Sequence, residues 1–119
     1  MSERSSSALV SVVIPVHDAA EYISDTLSSI LSQSLQDIEV IIIDDNSADD
    51  TLKLLQSFAA NDSRIRLLNN SQNIGAGASR NMGLKIASGE YIIFLDDDDY
   101  PNANMLKRMY DHARSEEHT

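Results

Sequence analysis

Three short apolar runs, each rich in β-branched residues and each leading into polar or acidic residues, constrain the fold of this chain more than any other feature. Leu9 to Ile14, Ile38 to Ile43 and Tyr91 to Leu95 are nearly continuous in apolar residues. Such runs suit strands buried on both faces of a parallel sheet, whereas strands with one face in water alternate. Arg64 to Leu68 reads as a weaker strand between the second and the last of them. Pro15 is expected to end the ladder of the first, because it has no N–H to give.

Between the strands the apolar period changes to that of a helix. Ile23, Leu27, Ile30 and Leu31 share one face, with Asp18 and Glu21 ahead of them resembling a capping box. Leu52, Leu55, Phe58 and Ala59 form the next face, with Ser47 and Asp50 as candidate caps. A third helix begins near Gly75 or Gly77, buries Ala78, Met82 and Ile86, and stops at Gly89. Pro101 suits the first turn of a last helix that turns Met105, Leu106, Met109 and Ala113 inward. Strands alternating with helices predict a Rossmann-like α/β fold: a three-layer sandwich with a mainly parallel sheet of about four strands and helices on both faces. The 119 residues suffice for one domain, placed over residues 9–114, with a disordered tail over 1–8 and a polar tail over 115–119.

Nine Lys and Arg against nineteen Asp and Glu leave a formal charge of −10, which disfavours a nucleic-acid partner. The absence of cysteine removes disulfides, thiolate metal sites and a cysteine nucleophile, so any metal must be held by oxygen or imidazole. The first residues lack a signal peptide's apolar core, and no run is long enough to span a membrane, which points to a cytoplasmic location.

In a parallel α/β sheet the strand C-termini lie along one edge, where ligands bind. The sequence places Val16-His17-Asp18 after the first strand, Asp44-Asp45-Asn46-Ser47 after the second and Asp96-Asp97-Asp98-Asp99 after the last, so seven carboxylates converge on one rim. Asp44 reads as structural, capping the next helix or accepting backbone amides. Four consecutive aspartates repel one another unless solvated or neutralised. Asp96 and Asp98 can turn toward one cation while Asp97 turns away, and such hard oxygen ligands suit Mg²⁺ or Mn²⁺. A divalent ion would also let a phosphorylated substrate approach this acidic edge.

Four segments carry a specific resemblance: Val13-Ile-Pro-Val-His-Asp18, Ile43-Asp-Asp-Asn-Ser47, Asn73-Ile-Gly-Ala-Gly-Ala-Ser-Arg-Asn-Met-Gly83 and Gly89-Glu-Tyr-Ile-Ile-Phe-Leu-Asp-Asp-Asp-Asp99. In order and spacing the chain resembles the nucleotide-sugar-binding half of a family 2 glycosyltransferase of GT-A fold, over about residues 9 to 113. The resemblance implies that Pro15, Val16 and His17 line the base and ribose pocket. It implies that Asp45 accepts a hydrogen bond from the base, as for uracil N3–H, and that Arg80 contacts base or phosphate. Asp96 and Asp98 would form the DxD motif, with Asp98 as direct metal ligand and Asp96 nearer the ribose and sugar. The middle residue is Asp97, so Asp97 and Asp99 could share metal duty. His17 and Asp18 stand where many relatives carry Tyr and Asn.

The implied reaction is metal-dependent, inverting transfer of a sugar from a nucleoside-diphosphate sugar, UDP-linked, to a saccharide or lipid-linked acceptor in the full-length protein. No residue after Asp99 suggests the base that such transfer needs. The expectation is therefore of a truncated enzyme lacking its acceptor half, inactive alone, self-associating through an exposed sheet edge and peripheral to the membrane when complete. A binding module without chemistry is the main rival. A dinucleotide-binding oxidoreductase would need glycines directly after the first strand, where Pro15 to Asp18 stand. A Mg²⁺-binding receiver-like domain would need its acidic pair there, and these acids follow the second and last strands.

Overall fold

The computed structural model describes residues 8–117. The chain alternates strictly: β1 (Val10–Val16), α1 (Ile23–Leu31), β2 (Ile38–Asp44), α2 (Thr51–Asn61), β3 (Ile65–Asn69), α3 (Ala76–Ile86), β4 (Tyr91–Phe94) and α4 (Met105–Glu117). The four strands form one sheet in the order β3-β2-β1-β4, every pair parallel. Two successive crossovers move outward from β1, and α3 then carries the chain back past both strands to β4. The direction of winding therefore reverses between β1 and β4. A crevice opens at their C-terminal ends, where open α/β sheets take ligands.

β1 and β2 are buried along almost their whole length, as continuous apolar runs require. On one face Val10, Val12, Ile14 and Val16 meet Ile23, Leu27 and Ile30 of α1, Leu55 of α2 and Leu106 of α4. On the other, Val13, Ile41 and Ile43 pack against Met82 and Ile86 of α3. Helices thus cover both faces in three layers. Among the described residues no helix is long and apolar enough to cross a membrane.

Several local expectations are corrected. Pro15 lies inside β1, paired with Ile43. The carbonyls of Leu9 and Val13 accept the amides of Tyr91 and Leu95, so odd-numbered residues of β1 face β4. Pairing with β4 ends at Val13 and Phe94, and the missing N–H of Pro15 removes no ladder bond. No capping box forms at α1: its N-cap is Tyr22, without a side-chain cap bond. At α2 the Thr51 amide is taken by Asp49 rather than by Ser47 or Asp50.

α3 turns Ser79 and Gly83 to the sheet and leaves Ala78 exposed, because its axis lies close to β1 and small residues must face it. It ends at Ile86, before Gly89. Gly89 instead crosses β1 so closely that a Cβ there would lie 2.6 Å from the Ser11 nitrogen. α4 starts four residues beyond Pro101, and Met109 is exposed. Gln33, fully buried in the turn after α1, offers Oε1 to the Leu106 amide and Nε2 to the Asn102 carbonyl, so that turn fixes where α4 begins. Of the tail expected over 1–8, residues 1–7 lie outside the described residues, while Ala8 is buried and its carbonyl accepts the Glu90 amide. The polar tail expected from 115 continues α4 to Glu117, and residues 118–119 lie outside the described residues.

Candidate functional site

The crevice between β1 and β4 holds an open cavity of about 330 Å³. Pro15, Val16 and His17 reach it from the end of β1, Asp45 from just beyond β2, and Arg80 from α3. Asp96, Asp97 and Asp98 close it from the turn after β4. The residues singled out in the sequence therefore share one cavity, joined by Ala76 at the start of α3.

Asp45 is buried, only 3% exposed, yet both its carboxylate oxygens are engaged. Its Oδ1 accepts the Ile74 amide at 2.9 Å and Asn70 Nδ2 at 3.0 Å, and its Oδ2 accepts the Gly75 amide at 2.8 Å. Burial pushes this carboxyl up, but the bonds from Ile74, Asn70 and Gly75 outweigh it and hold Asp45 below the ordinary value. The carboxylate therefore anchors the start of α3. Gly75 supports this by taking φ +94°, a region that side chains rarely adopt. Asn70, itself buried and also 3.3 Å from Ser79 Oγ, orients Asp45. Sequence reasoning missed Asn70, because only the fold brings the end of β3 beside the end of β2.

Asp44 is buried and engaged locally. It accepts Ser47 Oγ at 2.6 Å, the Ser47 amide at 3.3 Å and Asn69 Nδ2 at 2.9 Å. Asp18, with φ +47°, reaches across to the neighbouring loop, where its Oδ1 accepts the Ala48 amide at 2.7 Å while its own amide donates to Ser47 Oγ. Ala19 donates to Thr51 Oγ1 and Ala20 to Asp49 Oδ2. The loops after β1 and β2 are thereby joined, and His17 is held between them. Its Nδ1 lies 2.9 Å from the Asp45 carbonyl, which can only accept, so Nδ1 carries the proton. Its Nε2 is 3.3 Å from Asp18 Oδ2.

The turn after β4 closes on itself: the Asp96 amide donates to Asp99 Oδ2 at 2.7 Å and the Asp99 amide to the Asp96 carbonyl at 3.1 Å. Oxygens of Asp96, Asp98 and Asp99 lie within 4.8 Å of one another. Asp97 also lines the cavity but lies outside this trio, and it accepts the His17 amide at 3.1 Å. Burial and the charges of Asp98 and Asp96 raise the Asp97 carboxyl above its ordinary value against that hydrogen bond. Arg80 Nη2 sits 3.1 Å from Asp96 Oδ1 and is the cation paired with this trio among the described residues. Three hard oxygen donors with a single guanidinium among them fit a divalent Mg²⁺ or Mn²⁺ ion.

An open, doubly wound α/β sheet takes its ligands at the switch point, where this acidic cleft lies. Residues 11–119 match the description of glycosyl transferase family 2, and the chain belongs to that family. It is 35% identical over 111 residues to glycosyltransferase GlyG of Streptococcus pneumoniae, covering 93% of this chain and 37% of that protein. It is 46% identical over 92 residues to WfaP of Escherichia coli, a UDP-Glc:alpha-D-GlcNAc-diphosphoundecaprenol beta-1,3-glucosyltransferase, covering 77% of this chain and 36% of that one. Among solved structures, TarS 1-349 of S. aureus in complex with UDP-GlcNAc superimposes with a TM-score of 0.82 at 31% identity, covering 89% of this chain and 31% of that one. The fold is that of GT-A glycosyltransferases. The chain spans little more than a third of the length of these curated relatives.

Proposed function

We propose that this domain binds the nucleoside diphosphate of a UDP-sugar together with Mg²⁺ or Mn²⁺, and that its parent enzyme passes the sugar to a saccharide or lipid-linked hydroxyl with inversion. The observation that carries the reading is the meeting of the β1 end, Asp45, Arg80 and the acidic turn in one cleft of a family 2 chain. A relative that shares this fold is solved with UDP-GlcNAc, and another is named for a lipid-diphosphate acceptor.

Pro15, Val16 and His17 form the wall for base and ribose. Asp45 has one acceptor position left on Oδ2, suited to a base N–H. Arg80 presents donors to the diphosphate or base. Asp98 and Asp96, with Asp99 beside them, are the residues that would hold the divalent ion. When bound, that ion supplies positive charge against the departing diphosphate. The carboxylates lining the cavity are engaged by the fold or given to the base and the ion in this reading, so the base for the acceptor hydroxyl is assigned to another part of the parent enzyme. The domain alone is expected to bind donor without transferring sugar.

Calorimetric titration of UDP with and without Mn²⁺, on the wild type and on Asp98→Ala, tests this reading. Binding that requires Mn²⁺ and disappears in Asp98→Ala supports it. A folded wild-type domain that binds GDP, dTDP or CDP but not UDP overturns the uridine assignment, and one that binds no nucleotide at millimolar concentration overturns the reading as a whole.

A further inference from the structure

The four aspartates after β4 divide into two kinds. Asp96, Asp98 and Asp99 converge, whereas Asp97, which also lines the cavity, stands outside the trio and is tied to β1's end and to α1. Its carboxylate accepts the amide of His17, 80 residues earlier, at 3.1 Å. Its main-chain carbonyl accepts Oγ1 of Thr26, 71 residues earlier, at 3.0 Å. Thr26 is 2% exposed and lies on the inner face of α1, where an apolar residue would ordinarily sit. A buried hydroxyl persists in such a place when it satisfies a buried partner.

We propose that Asp97 and Thr26 are positioning residues that clamp the acidic turn to β1 and α1, so that Asp96, Asp98 and Asp99 converge before any ligand arrives. The proposal deepens the reading that this trio receives a divalent ion, and rests on it for its consequence. Two consecutive carboxylates of a free turn repel each other apart. Here the clamp holds the Asp97 side chain and the peptide that follows it, and the hydrogen bonds between Asp96 and Asp99 close the turn. Asp97 thus acts through the trio without joining it. An amide oxygen in its place would serve the His17 N–H equally well, which separates positioning from ligation.

Backbone amide NMR on the ¹⁵N-labelled chain, followed by Mn²⁺ titration read from paramagnetic broadening, tests the clamp in Asp97→Asn, Asp97→Ala, Thr26→Val and Thr26→Ser. Asp97→Ala and Thr26→Val are expected to shift the amide resonances of Asp96 to Asp99. Asp97→Asn and Thr26→Ser should leave them near wild type. Mn²⁺ affinity should fall about tenfold in Asp97→Ala and about fivefold in Thr26→Val, the factors carried by a charged and a neutral hydrogen bond. It should stay within about twofold in Asp97→Asn, which removes one screened charge, and vanish in Asp98→Asn. Turn resonances unchanged in both Asp97→Ala and Thr26→Val overturn the clamp, as does an Asp97→Asn that loses Mn²⁺ as fully as Asp98→Asn. A wild-type chain that takes up no Mn²⁺ defeats the metal reading instead, and the clamp is then decided by the resonances alone.

Discussion

Replacing Asp45 by Ala is expected to unfasten the start of α3 as well as to weaken nucleotide binding. The carboxylate holds the Ile74 and Gly75 amides and the Asn70 side chain at 2.8–3.0 Å. Hydrogen bonds to a charged group contribute about 1.5–3 kcal/mol each. The full sum is not reached, because the Ile74 and Gly75 amides at the open rim recover water and the cost of burying the charge is relieved. Asn70, 9% exposed, keeps Ser79 Oγ as a partner. A loss of about 3 kcal/mol remains, a large share of the stability of an ordinary domain. Urea unfolding followed by far-ultraviolet circular dichroism measures it directly. Asp45→Asn should fall between wild type and alanine, since one oxygen survives while an NH₂ group opposes a backbone amide. The reasoning is refuted if Asp45→Ala unfolds within about 0.5 kcal/mol of the wild type, the range of a neutral surface change. The result also bears on any binding assay: reduced UDP affinity in Asp45→Ala reports a base contact only in a variant whose α3 is still in place.

Gly89→Ala should destabilise the domain by about 1–3 kcal/mol, because the new Cβ would lie 2.6 Å from the Ser11 nitrogen and 2.9 Å from the Val10 carbonyl carbon, both backbone atoms of β1; an unchanged thermal midpoint would contradict that close approach. Stability should fall on acidification. Burial raises the carboxyls of Glu39 and Asp45, but hydrogen bonds from Ser11 and Ser88, and from Ile74, Asn70 and Gly75, hold both below their ordinary values; the bond from Thr51 lowers Asp49 and that from Arg64 lowers Asp62. With native values depressed, the unfolded chain binds protons first, so this contribution is complete above about pH 4–5 and is lost as pH falls through the native values. Urea midpoints that hold level from about pH 6 to about pH 3 would contradict it.

β1 and β2 were legible because burial on both faces leaves an uninterrupted run of Val and Ile, whereas Tyr91–Phe94, with the same pattern, is an edge strand that is only half-buried and leaves Phe94 exposed. Helix positions were legible from their period, while their ends were not. Asp18, Glu21, Ser47 and Asp50 carry the right side chains for caps, but Asp18 and Ser47 are engaged by the neighbouring loop instead. Local propensity proposes such a partner, and tertiary contacts between residues 29 or 30 positions apart decide it. The α3 face was read correctly at Met82 and Ile86 and misjudged at Ala78, for a related reason. Hydrophobic period selects Ala78, yet a helix lying against a sheet at close range needs small residues inward, and Ser79 and Gly83 meet that need. Gln33 shows the same limit from the polar side. Nothing in its surroundings in sequence reveals that it holds the first turn of α4, 73 positions away.

The candidate site repeats this lesson in its charges. Seven carboxylates on one rim read from the sequence as a single acidic field, and a cation followed as its neutraliser. The structure divides them by what each meets. Asp18, Asp44, Asp45 and Asp97 accept backbone amides, and these bonds fasten the loops after β1, β2 and β4 and the start of α3 to one another. Asp96, Asp98 and Asp99 are left converging at the surface, with Arg80 alone among the described residues paired to them. Asp45, which accepts two backbone amides and the Asn70 side chain, has its charge spread over fixed dipoles and gains little from an ion. Asp99 accepts the Asp96 amide and Asp96 pairs with Arg80, yet the trio's oxygens still lie within 4.8 Å of one another, where a cation relieves their repulsion most. The acidity of the rim therefore divides between carboxylates that fasten the loops together and a surface trio where we propose that a cation binds.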